Sequence, residues 1–202
     1  MRPEVERLAN ALYDYGCVKF GTFTLKSGLT SPIYIDLRLL VSHPRLLKDV
    51  GTILAAEAEG INFDRIAAIP YAALPIGVAM ALELNRPMIY PRREVKQHGT
   101  RRAIEGAFEP HETALLLDDL ITRGGSKLEA IESLEAANLV VKDVLVLIDR
   151  EQGGARDLAE RGYCLHAVLR LTDLLEVLAD SERITADERA KVLTYLEQTR
   201  VT

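Results

Sequence analysis

Two adjacent carboxylates, Asp118 and Asp119, and the small-residue loop behind them are the side chains best spaced to do chemistry. They lie in residues 114–129, ALLLDDLITRGGSKLE. There an apolar run leads into the acids, Thr122, Arg123, Gly124, Gly125 and Ser126 make a turn, and a helical pattern opens at Lys127. A short apolar run bounded by turn residues reads as a buried strand. Glycines between a strand and a helix let backbone N–H groups point at an anion, and the helix dipole favours negative charge there. Paired carboxylates accept hydrogen bonds from sugar hydroxyls or hold a hydrated divalent cation. One short segment can therefore seat a phosphate and a ribose diol together. As bare pattern it equally describes a solvated turn with Ser126 capping a helix. It is not a P-loop, because the Ser–Lys order is reversed and the upstream glycine is missing.

A second constellation is residues 92–102, RREVKQHGTRR, with five Lys/Arg and His98 against a single Glu. In a chain of net charge −5 this local inversion of sign suits either a solvated loop or a lid carrying cations to a polyanionic leaving group. Lys26 alone reads as a surface turn residue. Arg150, just past an apolar run, stands where a guanidinium can grip a carboxylate with two parallel donors.

The elements that position these residues follow from periodicity. Pro3 and the spacing of Val5, Leu8, Ala9 and Leu12 predict a first helix ending near Gly16. Residues 17–37 read as short β-prone pieces with turns at 26–28 and 31–32, and a second helix starts at Pro44. Strands at 66–69, 87–90, 114–117, 144–148 and 163–168 then alternate with helices at 73–84, 127–137, 156–162 and 174–178. Residues 91–106 form a long loop, and Thr185 with Glu188 is a capping box opening a last helix. Alternating strands and helices predict one α/β domain over residues 1–202, a mainly parallel twisted sheet flanked by helices. Ligands of such sheets bind beyond the carboxyl ends of the strands, where the loops bearing Tyr71, the basic segment, the acid pair and Arg150 converge.

Composition narrows the class. At 202 residues, 48% apolar and 27% charged, the chain is an ordinary globular domain. No apolar run approaches the roughly 18 residues needed to span a bilayer, and the charged N-terminus has no signal-peptide core, which predicts a cytoplasmic protein. The acidic balance argues against nucleic-acid binding. Cys17 and Cys164 read as apolar fillers, with a single disulfide between them as the alternative, and four scattered histidines predict no protein-built metal site.

LLLDDLITRGGS resembles the phosphoribosyl-diphosphate (PRPP) signature of type I phosphoribosyltransferases. KFGTFTLKSGLTSPIYIDLR, IPYAALPIG, RREVKQHGTRRAIEG and LIDREQGG, in that order, resemble further segments of orotate phosphoribosyltransferases, including the form fused in animal UMP synthase. The resemblance implies the type I phosphoribosyltransferase fold with an N-terminal hood over about residues 17–40. It implies transfer of phosphoribosyl from PRPP to orotate with Mg²⁺, the ion held mainly by substrate oxygens and water. Asp118 and Asp119 would hold the ribose hydroxyls, and residues 122–126 the 5′-phosphate. Lys26, Thr122 and Arg150 would hold orotate, with Tyr71 on the pyrophosphate-side loop. Lys96, His98, Arg92 and Arg93 would close over pyrophosphate. The family's lid reaches a neighbouring subunit's site, which implies a homodimer. Arg93 replaces a usual lysine, Arg123 a usual small residue, and Ala72 stands where enteric-bacterial members have lysine. A PRPP-binding regulator without turnover is the alternative.

Overall fold

The computed structural model describes residues 1–24, 28, 30–92 and 103–199, so Lys26, Arg93, Lys96 and His98 lie outside the described residues. Helix α1 (Pro3–Asp14) buries Val5, Leu8, Ala9 and Leu12, a stripe at helical spacing. Strands β1 (Val18–Thr24) and β2 (Thr30–Ile35) pair antiparallel as a separate two-stranded sheet. The turn expected at residues 31–32 is absent, because both residues lie within β2. Proline is tolerated there because the ladder is broken at that point: Phe20 faces Ile33 and Phe23 faces Ser31, leaving two β1 residues opposite Pro32.

A 3₁₀ turn (Leu37–Ser42) and helix α2 (Pro44–Glu57) lead into the main sheet. Its strands are β3 (Arg65–Ala68), β4 (Met88–Pro91), β5 (Ile104–Glu105), β6 (Thr113–Ile121), β7 (Val140–Asp149) and β8 (Cys164–Arg170). Helices α3 (Ala73–Leu84), α4 (Gly125–Glu135) and α5 (Gly154–Ala159) connect them. Helices α6 (Leu171–Asp180) and α7 (Ala186–Thr199) end the described chain. The Thr185–Glu188 capping box forms reciprocally: the Glu188 carboxylate accepts the Thr185 N–H at 2.8 Å, and Thr185 Oγ1 accepts the Glu188 N–H at 3.2 Å.

The sheet order is β5-β4-β3-β6-β7-β8, parallel except for β5, which turns back on β4 at the foot of the expected long loop. From β3 the chain steps outward to β4, whereas from β6 it steps the other way to β7 and β8, so the winding reverses between β3 and β6. Side chains alternate accordingly. Leu115, Leu117, Leu145 and Leu147 share one core with α1, α2, α3, α6 and α7. Leu116, Val144 and Val146 share the other with α4 and α5. Gly77 lets α3 settle on the sheet, since an added Cβ there would lie 2.9 Å from both the Ala68 Cβ and the Met88 sulfur.

Candidate active site

The acid pair owes its position to unequal strand lengths. Residues 65–68 of β3 pair with residues 114–117 of β6, and the Ile69 N–H closes the ladder on the Leu117 carbonyl at 2.9 Å. Strand β6 is longer than the apolar run predicted: it continues through Asp118, Asp119, Leu120 and Ile121 with β7 as its neighbour and nothing of β3 beside it. Both carboxylates therefore stand at the carboxyl edge of the sheet, in the crevice where the winding reverses, which is where open α/β sheets bind ligands.

Asp118 is buried. Its Oδ1 accepts the Asp119 N–H at 2.9 Å, and its Oδ2 lies 2.6 Å from the ammonium of Lys127. Lys127, only 4% exposed, also donates to the Leu120 carbonyl at 2.6 Å. Asp119 is half-buried and accepts the Leu120 N–H at 2.9 Å. Burial first, and the Asp118 charge second, push the Asp119 carboxyl up to about 7, against a smaller pull downward from Lys127. Sequence reasoning passed over Lys127 as the opening of a helical pattern. The available signal was its place at i with Ala130, Ile131 and Leu134 at i+3, i+4 and i+7, a cation on the buried face of α4.

Behind the acids, α4 begins at Gly125 with Gly124 as its N-cap residue, so Ser126 is the second helical residue and not the cap. Gly125 and Ser126 are exposed. Lys127 is the residue whose N–H reaches back to the Gly124 carbonyl, at 3.0 Å. Helix geometry leaves the N–H groups ahead of it without intrahelical acceptors, aimed outward from the positive end of the helix. The Gly124 N–H is differently placed, since it donates to Asp157 Oδ2 of α5 at 3.0 Å. Asp157 Oδ1 also stands 3.7 Å from the guanidinium of Arg123, which lies over the Cβ-less face of Gly153. Arg123 thus turns outward from the loop toward α5, one of the two orientations open to an arginine at this position. Gly154 allows α5 to approach this closely, because a Cβ there would collide with the Ile121 side chain.

Arg150 follows β7, its N–H on the Ile121 carbonyl at 2.9 Å. Its Nε and one terminal nitrogen are buried with no hydrogen-bond partner among the described residues, and this burial pulls its pKa down. Arg92, at the end of β4, is ion-paired with Glu105 of β5, and its N–H bonds the Ala103 carbonyl at 2.8 Å. It braces the root of the basic segment and is not an unpaired cation. Tyr71, 67% exposed, lies between β3 and α3 after a cis Pro70–Tyr71 peptide. Tyr71, Arg92, the acid pair, residues 122–126 and Arg150 all follow or end parallel strands on the same edge of the sheet.

No protein-family model matches the chain. Individual relatives do. The chain is 42% identical to bovine uridine 5′-monophosphate synthase over 193 residues, 95% of this chain and 40% of that protein. It is thus shorter than half of that relative, and it spans 38% of the bifunctional PyrF/PyrE enzyme of Nostoc. In three dimensions it matches the UMP synthase of Leishmania donovani with a TM-score of 0.89 at 45% identity, over 96% of this chain and 42% of that one. It is 35% identical to the orotate phosphoribosyltransferase of Pyrococcus abyssi over 179 residues, 88% of this chain and 98% of that enzyme. On that near-complete match the chain belongs to the orotate phosphoribosyltransferase family.

Proposed function

We propose that this chain transfers the 5-phosphoribosyl group of PRPP to orotate, giving orotidine 5′-monophosphate and pyrophosphate in UMP biosynthesis. The observation that carries the proposal is Arg150: two buried guanidinium nitrogens with no hydrogen-bond partner among the described residues, on a residue that follows β7 at the same sheet edge as the acid pair. A buried cation lacking a partner is costly, and a bound carboxylate removes that cost. In this reading the orotate carboxylate meets Arg150, with Thr122 and Lys26 completing the base site. Asp118 and Asp119 accept the ribose hydroxyls, and the outward N–H groups of Gly125 and Ser126 take the 5′-phosphate.

As the bond from ribose to pyrophosphate stretches, the sugar carbon becomes cation-like and negative charge builds on the leaving group. Cations already in place there stabilise the transition state more than the ground state. Lys96, His98 and Arg93 are assigned that task from the sequence alone. The oxygen-only donors at the acid pair, with Asp118 paired to Lys127, fit a hydrated Mg²⁺ ion that would be held mainly by PRPP oxygens and water, with Asp119 as the acid left to hold its water shell. Bound there, the ion would neutralise pyrophosphate charge. A homodimer belongs to the same reading and is supported by Val78 and Leu82 on α3, which are 49% and 78% exposed. A cytoplasmic location also belongs to it; among the described residues no helix is long and apolar enough to cross a membrane.

The test is consumption of orotate in the presence of PRPP and Mg²⁺, with uracil and hypoxanthine as controls. Turnover confined to orotate is the expected result. PRPP binding without orotate turnover would overturn the proposal in favour of a regulator.

A further inference from the structure

The parallel pairing of β7 and β8 assembles a second cluster of reactive side chains at the opposite end of the sheet. Cys164 and His166 are separated by one residue on β8, so both side chains leave the same face of the strand. In register, Asp143 of β7 stands opposite Cys164, and Leu145 stands opposite His166. The Cys164 sulfur, a ring nitrogen of His166 and a carboxylate oxygen of Asp143 all lie within 4.8 Å of one another. His166 Nε2 is 2.8 Å from Asp143 Oδ1. Asp143 and His166 are half-buried and Cys164 is exposed, so the group is held by backbone yet open to solvent.

We propose that Asp143, Cys164 and His166 form a binding site for a borderline-soft divalent transition metal of the zinc class, with water in the fourth position. One sulfur, one imidazole nitrogen and one carboxylate oxygen match the ligand types of Zn²⁺, and they disfavour Mg²⁺ or Ca²⁺, which require oxygen donors. Metal–ligand bonds of about 2.0–2.3 Å place tetrahedral ligands roughly 3.3–3.8 Å apart. The cluster therefore needs only small side-chain rotations: the His166–Asp143 contact opens and the thiol draws in. A thiolate and a carboxylate together neutralise the ion. The thiol proton leaves to solvent on binding, and no redox step is involved.

The site lies six residues upstream of Asp149 along β7, about 20 Å from the catalytic edge at strand rise. A metal here would clamp the edge strand β8 to β7 without touching substrate. Cys17 offers no competing ligand, because it is fully buried and its thiol is pushed up to about 11 by that burial.

The experiment is titration of the metal-free full chain with Co²⁺, followed by displacement with Zn²⁺. One equivalent of four-coordinate Co²⁺, with a thiolate-to-metal charge-transfer band in the near ultraviolet, is expected. Cys164→Ser should abolish that band, and His166→Ala or Asp143→Asn should each weaken binding by at least about 10- to 100-fold. Zn²⁺ should raise the unfolding temperature of the parent protein and not of Cys164→Ser. Asp118→Asn should leave the Co²⁺ spectrum unchanged. A spectrum lacking the sulfur band, equal binding by Cys164→Ser, or loss of binding in Asp118→Asn would overturn the proposal. None of these readouts depends on transferase activity.

Discussion

Replacing Lys127 by methionine removes the buried cation that pairs with Asp118. The substitution keeps side-chain volume but removes the ammonium that lies 2.6 Å from Asp118 Oδ2 and 2.6 Å from the Leu120 carbonyl. The two paired side chains are only 5% and 9% exposed, so water cannot take over from the lost charge. Removing one partner of a buried ion pair costs about 3–5 kcal/mol. In a chain of this size each kcal/mol lowers the melting temperature by about 2–4 °C, so the unfolding midpoint should drop by roughly 6–20 °C. Lys127→Met together with Asp118→Leu should regain most of the loss, because the penalty is the unpaired Asp118 and not the missing attraction. Denaturant unfolding of the four proteins of this cycle gives the coupling directly. A Lys127→Met cost below about 1 kcal/mol, or a double variant no better than the single one, would refute the buried-pair account.

Further outcomes are expected at four residues. Asp119 has its carboxyl raised from 3.8 to about 7, so between those pH values the folded protein holds a proton that the unfolded chain has released. Stability should fall as pH rises through that window and level off above it; Asp119→Asn should flatten this slope, and an identical slope in both proteins would contradict the assignment. Arg150→Ala should raise the orotate KM about 10- to 100-fold, from roughly 1.5–3 kcal/mol for a charged hydrogen bond, and leave the PRPP KM nearly unchanged. Arg150→Met should leave stability unchanged or higher, since it removes an uncompensated buried charge, and a marked loss would point to a hidden partner. Arg123→Ala, which breaks only an exposed contact to Asp157, should change stability by less than about 1 kcal/mol and PRPP affinity only a few-fold. A tenfold loss of PRPP affinity would mean that Arg123 swings into the phosphate site. Lys96→Ala should reduce kcat by about 10²- to 10³-fold without moving the melting temperature, and near-normal turnover would refute its role at the leaving group.

The readable and the unreadable parts of the site divide by the distance over which they are encoded. Asp118, Asp119 and the glycine loop sit in one unbroken stretch, and alternating elements imply a parallel sheet that binds ligands at its carboxyl edge, so that edge was legible, whereas the strand order that reverses between β3 and β6 was not. The contacts that shape it are not local. Asp157 reaches Gly124 across 33 residues, and nothing in the spacing of either segment announces the pair. The acids were placed beyond the strand because carboxylates there look like loop residues, yet β7 extends to Asp149 and draws β6 along with it to Ile121. The same reasoning accounts for the Asp143–Cys164–His166 cluster. The Cys-x-His spacing is visible in one strand, but the third member depends on the β7–β8 register. That register is held by two buried faces: Leu145 and Leu147 belong to one core and Val144 and Val146 to the other. A slip of one residue would exchange those faces and turn Asp143 away from both partners. The apolar packing that stabilises the sheet therefore also determines which polar side chains meet at its ends, and a scattered cysteine and histidine acquire a common partner only once the strands are paired.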